Sequence, residues 1–495
     1  MNAVVKTQHG EVRGSAGDGV NTFKGIPYAA PPFGANRLRP PQPVEPWSGG
    51  RDALAYGPKP PQVPYPSPWD VLIPELDPIG EDCLNLNIWS PDLGSAGLPV
   101  MVWIPGGAFE HGTSAGPFYD GSRFARDGIV CVSINYRVGA EGFLYLGDGV
   151  ANLGLLDQLA ALEWVQENIA AFGGDPANVT VFGQSAGAMS IGTLLSMPRA
   201  EGLFRRAIAQ SGGAHQVISP STAQKVGQHV AEKLGVQATR EAIAAVPLDQ
   251  LLTAQEELKA DLLAHPDPGR WGTEVVVNMM LWQPVIDGDV IPMPPIDRIV
   301  SGADAETDLM VGATSDEWRF FLVPGGAIEH VTDEALAGAV AGYGLPVEAA
   351  LGTYRAAHPG ASPGDLLAAV QSDWYIRIPV IRLAEAHATS TAATYMYEFA
   401  WRSPAFDGRL GACHGLEVAF VFDTLGNETE PLGGTDPPQH LADTMHAAWV
   451  SFATSGEVGW PEYDLDRRAT MRFDTASEVV DDPQSAERAL WEGVR

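Results

Sequence analysis

Val179-Thr-Val-Phe182-Gly-Gln-Ser185-Ala-Gly187, followed by the apolar run Ala188 to Met197, decides how this chain folds. Four strand-forming residues lead into a tight glycine-flanked turn, and the run after it reads as a helix. Strand, strained turn and helix together are the sequence form of a nucleophile elbow. Two glycines flank Ser185 because strand and helix backbones pass close at such a turn, where a Cβ would clash. The strain pushes the hydroxyl clear of the sheet, over the positive end of the helix dipole. Glycine makes up 55 of 495 residues, so the bare pattern also fits an ordinary glycine-rich turn. The strand-like and helix-like flanks are what raise it above that.

Outward from the turn, strands and helices alternate. Residues 3–13 read as a short hairpin about Gly10. From Phe23 to Pro78 the chain is proline-rich and irregular, and its part from Pro58 to Pro78 reads as either a plain surface loop or a lid and pocket wall. Cys83 to Trp89 alternates like a strand. Val100 to Ile104 and Ile129 to Ile134 are apolar runs expected of buried strands. Leu155, Leu159, Leu162, Val165 and Ile169 recur at helical spacing and predict a helix over 154–172, stopped by Gly173-Gly-Asp-Pro176. Arg206 to Gln210, Leu309 to Gly312 and Ala393 to Phe399 read as later strands. Helical patterns cover 220–263 and 439–454. This alternation predicts a mostly parallel sheet covered by helices on both faces, in one domain over 1–495 with insertions at about 58–80 and 215–300 lining a pocket.

Bulk properties narrow the function classes. The chain is 45% apolar and 18% charged, as in a globular protein with a large core. Against 30 basic residues stand 61 acidic ones, a net charge of −31, which argues against nucleic acid and anionic membranes as partners. Three cysteines without a C-x-x-C spacing provide neither a disulfide framework nor a zinc site. No leader-like apolar segment and no stretch of 18 apolar residues occurs, so the chain as given reads as cytoplasmic.

A serine nucleophile needs a base, an orienting acid and an oxyanion hole, and on an elbow of this kind the acid and base follow in that order. The acid candidate is Glu317, after the strand ending near Gly312, with Asp316 as its rival. The base candidate is His414, with His440 and His446 as rivals. His446 falls inside a helical pattern, where a packed role is expected. Oxyanion donors are expected from the backbone N–H of Ala186 and from the turn at 106–108, which follows a buried strand.

With Phe23-Lys-Gly-Ile-Pro-Tyr-Ala29, Glu81-Asp-Cys-Leu-Asn-Leu-Asn87, Asn135-Tyr-Arg-Val-Gly139, Phe172-Gly-Gly-Asp-Pro176 and the turn at Ser185 in view, the chain resembles the type-B carboxylesterase and cholinesterase family of α/β-hydrolases, particularly its bacterial para-nitrobenzyl-esterase-like branch. The resemblance covers nearly the whole chain. It implies Ser185 as nucleophile, Glu317 in preference to Asp316 as acid, His414 as base, and the N–H groups of Gly107, Ala108 and Ala186 as oxyanion hole. It also implies a hydroxyl of Ser211 close behind the acid, and structural ion pairs Arg37–Glu81 and Arg137–Asp175. This chain departs from the family pattern at Pro105, Ala108 and Trp318. Cys83 has no upstream disulfide partner, which fits a reduced interior.

These observations predict a serine carboxylesterase of hydrophobic or aromatic esters, working through an acyl-enzyme without cofactor or metal, as a monomer or small homo-oligomer. Phe109, Trp318, Phe320, Phe321 and Phe420, with Met279 to Trp282, are the candidate pocket residues. A carbamate or amide hydrolase would use the same groups. A non-catalytic binding protein on this fold is opposed by the intact Ser185, Glu317 and His414.

Overall fold

Val100 to Ile104 and Val179 to Phe182 are apolar on both faces apart from the buried Thr180, and they pair side by side at the centre of the sheet. The structure is a computed structural model describing residues 2–495 apart from Glu75, Asp77, Ala96, Asp304 and Glu428. Among the described residues its 13 strands are β1 (Asn2–Lys6), β2 (Glu11–Gly17), β3 (Val20–Pro27), β4 (Gly50–Asp52), β5 (Asn85–Ser90), β6 (Leu98–Ile104), β7 (Val130–Ile134), β8 (Gly174–Gln184), β9 (Arg206–Gln210), β10 (Asp308–Thr314), β11 (Thr394–Phe399), β12 (Ala469–Phe473) and β13 (Glu478–Asp481). They run in the order β1-β2-β3-β5-β7-β6-β8-β9-β10-β11-β12-β13, with β4 beside β2. From β7 to β12 the pairs are parallel, and at both margins they turn antiparallel.

Helices cover the sheet. α1 (Leu153–Asn168) continues as a 3-10 turn to Phe172 and stops at Gly173, whose φ of 91° suits glycine. α2 (Ala186–Leu194) leaves the elbow, α3 (Pro220–Leu234) and α4 (Leu248–Ala264) follow within 215–300, and α5 (Val418–Phe422) and α6 (Gln439–Ser455) pack on the opposite side. One face holds the aliphatic cluster that includes Leu155, Leu162 and Ile191; the other stacks Trp103, Phe124, Phe182 and Phe422 at ring distances of 4.9–5.6 Å. Such offset and edge contacts add to area burial. Among the described residues no single helix is long and apolar enough to cross a membrane.

The structure corrects three expectations. The stretch from Phe23 is not irregular at its start: Val20–Pro27 is a strand, bulged between Phe23 and Ile26 where it pairs with β5. Arg137 does not pair with Asp175. Its guanidinium makes a fork to both oxygens of Asp157 on α1, at 2.7 and 2.8 Å with both side chains fully buried, while Asp175 accepts the N–H of Ala177 in its own turn. Arg37 likewise pairs with the buried Glu141 at 2.7 Å and not with the exposed Glu81. In each case the acid that won is the one whose burial leaves it no water to bind, and removing one member of such a pair typically costs about 3–5 kcal/mol. Late strands β12 and β13 close the far edge. They are short and half polar, so their periodicity is faint.

Candidate active site

The C-terminal ends of β6, β8 and β10 point the same way, and the chain beyond them forms the site. At the end of β8, Ser185 adopts φ 58° and ψ −125°, a conformation rare for a residue with a side chain. The flanking glycines are required: a Cβ on Gly187 would lie 2.0 Å from the carbonyl oxygen of Ile104, and one on Gly183 would lie 2.7 Å from it. The Ser185 N–H donates to Gln210 O at 2.9 Å, and α2 starts at the next residue. The geometry is that of the elbow read from the sequence.

After β6 the chain turns through Pro105 to Gly112. Gly107, Ala108 and Phe109 all have positive φ, at 126°, 55° and 59°. Gly107 O accepts the N–H groups of Glu110 and His111, Tyr136 Oη donates to Pro105 O, and Gln62 exchanges two hydrogen bonds with Gly112. Held in this way, the N–H groups of Gly107 and Ala108, like that of Ala186, have no acceptor within the protein among the described residues. Gly107 and Ala108 stand at the cavity wall beside Ser185.

Glu317 and His414, far apart in the chain, meet. His414 Nδ1 lies 2.5 Å from Glu317 Oε2, and the other carboxylate oxygen accepts the Thr314 N–H at 2.7 Å. Glu317 is fully buried and His414 is 8% exposed. Asp316, the rival acid, is taken up by Arg402, Arg319 and the N–H of Ala412. His440 contacts Thr475 O at the surface, and His446 is packed between Val421 O and Asp127. Ser211 follows β9 at φ 55°; its N–H donates to Gly312 O, while its buried hydroxyl has no partner among the described residues, so nothing bonds it to Glu317.

Ser185 and His414 open on one cavity of about 710 Å³. Trp318, Phe320, Phe321 and Phe420 line it, with Met279, Met280 and Trp282; Leu281 does not. Trp318 lies flat on Tyr375 at 3.9 Å and 10°, forming an aromatic wall beside Glu317. Residues of the stretches 58–80 and 215–300, among them Val63, Tyr65, Trp69, Leu252 and Lys259, complete the lining, and the Lys259–Glu110 ion pair at 2.7 Å joins α4 to the turn after β6. Phe109, like Leu281, is an exception among the expected pocket residues. Its positive φ turns the ring inward, where it is fully buried against Phe143 at 4.9 Å.

Three further side chains at the site carry little signal of their role in the sequence pattern. Gln184, in the variable position of the elbow, places its amide nitrogen 3.0 Å from His414 Nε2. Tyr375 comes from a turn of π-helix with no motif. Glu417 is fully buried one helical turn beyond His414; burial first, then the neighbouring Glu317, pushes its carboxyl up to about 7. Gln210 donates to Glu417 Oε1 at 3.4 Å and the other oxygen has no partner among the described residues. Its spacing from His414 was the available signal. No group of three or more His, Cys, Asp and Glu side chains that could hold a metal ion occurs among the described residues.

A parallel sheet flanked by helices, with a serine at its elbow, defines an α/β-hydrolase. Comparison with known proteins gives the family. The model of the carboxylesterase family matches residues 1–491. The para-nitrobenzyl esterase of Bacillus subtilis is 37% identical over 98% of this chain and 97% of its own length, and the phenmedipham hydrolase of Pseudarthrobacter oxydans is 36% identical over 97% of each. The solved structure of a Geobacillus stearothermophilus carboxylesterase superposes with a TM-score of 0.86 at 37% identity, covering 99% of both chains. The chain therefore belongs to the carboxylesterase family and is a carboxylic ester hydrolase.

Proposed function

We propose that the protein is a serine carboxylesterase for hydrophobic or aromatic esters of moderate size. Ser185 is the nucleophile, His414 the base and Glu317 the acid that orients it. His414, with Nδ1 on Glu317, takes the Ser185 proton at Nε2 as Oγ attacks the ester carbonyl. The tetrahedral oxyanion is received by the N–H groups of Gly107, Ala108 and Ala186, with the dipole of α2 adding to them. The alcohol leaves with a proton from His414, and water then releases the acid from the acyl-enzyme by the same route. The observation that carries this reading is the 2.5 Å Glu317–His414 contact opening on the cavity of Ser185.

The apolar, aromatic lining supports the substrate class, as does the relative named a para-nitrobenzyl esterase. Both insertions are read as pocket walls within one domain over 1–495. The enzyme is further read as bacterial and cytoplasmic, needing no cofactor and acting on a small-molecule ester. With a small aryl acetate, Ser185→Ala is expected to lose turnover by roughly 10⁴-fold or more. Near-normal activity in that variant overturns the assignment. A carbamate would meet the same groups, and its turnover beside the matched ester ranks the two bonds.

A further inference from the structure

Ser185 and His414 share a cavity, but the nitrogen of His414 that should face the nucleophile is engaged elsewhere. Gln184 Nε2 lies 3.0 Å from His414 Nε2, and among the described residues no hydrogen bond joins Ser185 to His414. The other side of the ring fixes the roles. Nδ1 faces a carboxylate acceptor at 2.5 Å and so carries a hydrogen, which leaves Nε2 of the neutral ring with its lone pair. Only a donor suits that position, and the Gln184 amide N–H is one. The carbonyl end of the amide points the other way: a Cβ on Gly106 would lie 3.2 Å from Gln184 Oε1, and one on Gly415 would lie 3.7 Å from its Nε2. The side chain thus spans from the turn after β6 to the histidine loop, through space that two glycines leave open. Gln184 is 6% exposed, so water competes little for the contact.

We propose that Gln184 is a positioning residue that holds the resting imidazole away from the nucleophile: its amide donates to His414 Nε2, and a bound ester displaces this contact before Ser185 surrenders its proton. The proposal rests on the esterase reading. In the attack the Ser185 O–H bond breaks and an Oγ–C bond forms. The proton goes to Nε2 and the carbonyl π pair to the oxyanion; Gln184 exchanges no atom. Once Nε2 bears the proton it no longer accepts, so the amide contact belongs to the resting state alone.

The test is the pH dependence of kcat/KM on an aryl acetate in the parent, Gln184→Met and Gln184→Glu, with Ser185 titrated in each by a fluorophosphonate probe. In Gln184→Glu a carboxylate takes the place of the amide and favours the imidazolium, so the acid limb moves to higher pH by about one unit or more. Gln184→Met removes a donor that only the unprotonated nitrogen accepts, and moves the limb the same way by about half a unit. Gln184→Met also acylates severalfold faster on the pH plateau, because nothing has to be displaced. Limbs that superimpose on the parent at full Ser185 titre overturn this proposal alone. A parent in which Ser185 takes no probe overturns the esterase reading and this proposal with it.

Discussion

The half of the site around Ser185, residues 105–112 and 183–187, lies at the ends of two neighbouring strands and is shaped chiefly by close backbone contacts, whereas the other half joins Glu317 to His414 across 97 positions of chain through a contact between side chains. In the first half, glycines at 106, 183 and 187 permit contacts that no other residue fits, and positive φ angles at 108, 109 and 185 store strain against a rigid sheet. In the second half, a buried carboxylate meets an imidazole from a distant loop at 2.5 Å. Ser185, the proposed nucleophile, is thus placed by sterics and has a local signature, while His414, the proposed base, is placed by contacts that the linear chain does not display.

The largest effect is expected at Glu317. Glu317→Gln keeps the shape of the second half but removes the charge that faces His414 Nδ1. It is expected to lower kcat for an aryl ester by roughly 10³–10⁴-fold with the fold intact, read by steady-state kinetics beside far-UV circular dichroism. A loss of tenfold or less would mean that sterics alone organise both halves.

Glu417 sharpens the comparison through stability. Its folded value of about 7 lies above the ordinary 4.5, so the folded state holds that proton more tightly than the unfolded chain does. The destabilisation is absent below pH 4.5, grows as pH rises, and is complete above about 7. Glu417→Gln removes it. Stability of the variant relative to the parent is expected to improve between pH 4.5 and pH 8 by up to about 3 kcal/mol, measured by urea unfolding at both. A difference that does not change with pH contradicts a neutral buried carboxyl.

The smallest expected effect falls on the cavity wall. Trp318→Ala removes the ring stacked on Tyr375 and is expected to raise KM for an aromatic ester about five- to tenfold, leaving kcat within about twofold. An equal rise for a small aliphatic ester would show that the wall shapes the site without selecting aromatic groups.

Legibility in the sequence follows the same division. The elbow, the central strands and α1 were readable because glycine placement and apolar runs are local. Glu317 and His414 were readable only as candidates in the right order, and the family pattern chose between Glu317 and Asp316. Phe109 was misjudged because its neighbours suggest a pocket and only its φ shows that the ring turns inward. Asp157 and Glu141 were missed as partners of Arg137 and Arg37 because burial, not spacing, selects the acid. Gln184 occupied the position of the motif that the pattern leaves free, so nothing in the pattern assigned it a contact.

The most direct measurement is the capture of the acyl-enzyme. Mixed rapidly with an excess of an aryl ester whose acyl group is chosen so that deacylation is the slow step, the enzyme is expected to release about one equivalent of phenol in a burst, with the acyl group found by peptide mass spectrometry on Ser185 and absent from Ser185→Ala. Ester hydrolysis that proceeds with no burst and no adduct, or with the adduct on another residue, contradicts the account.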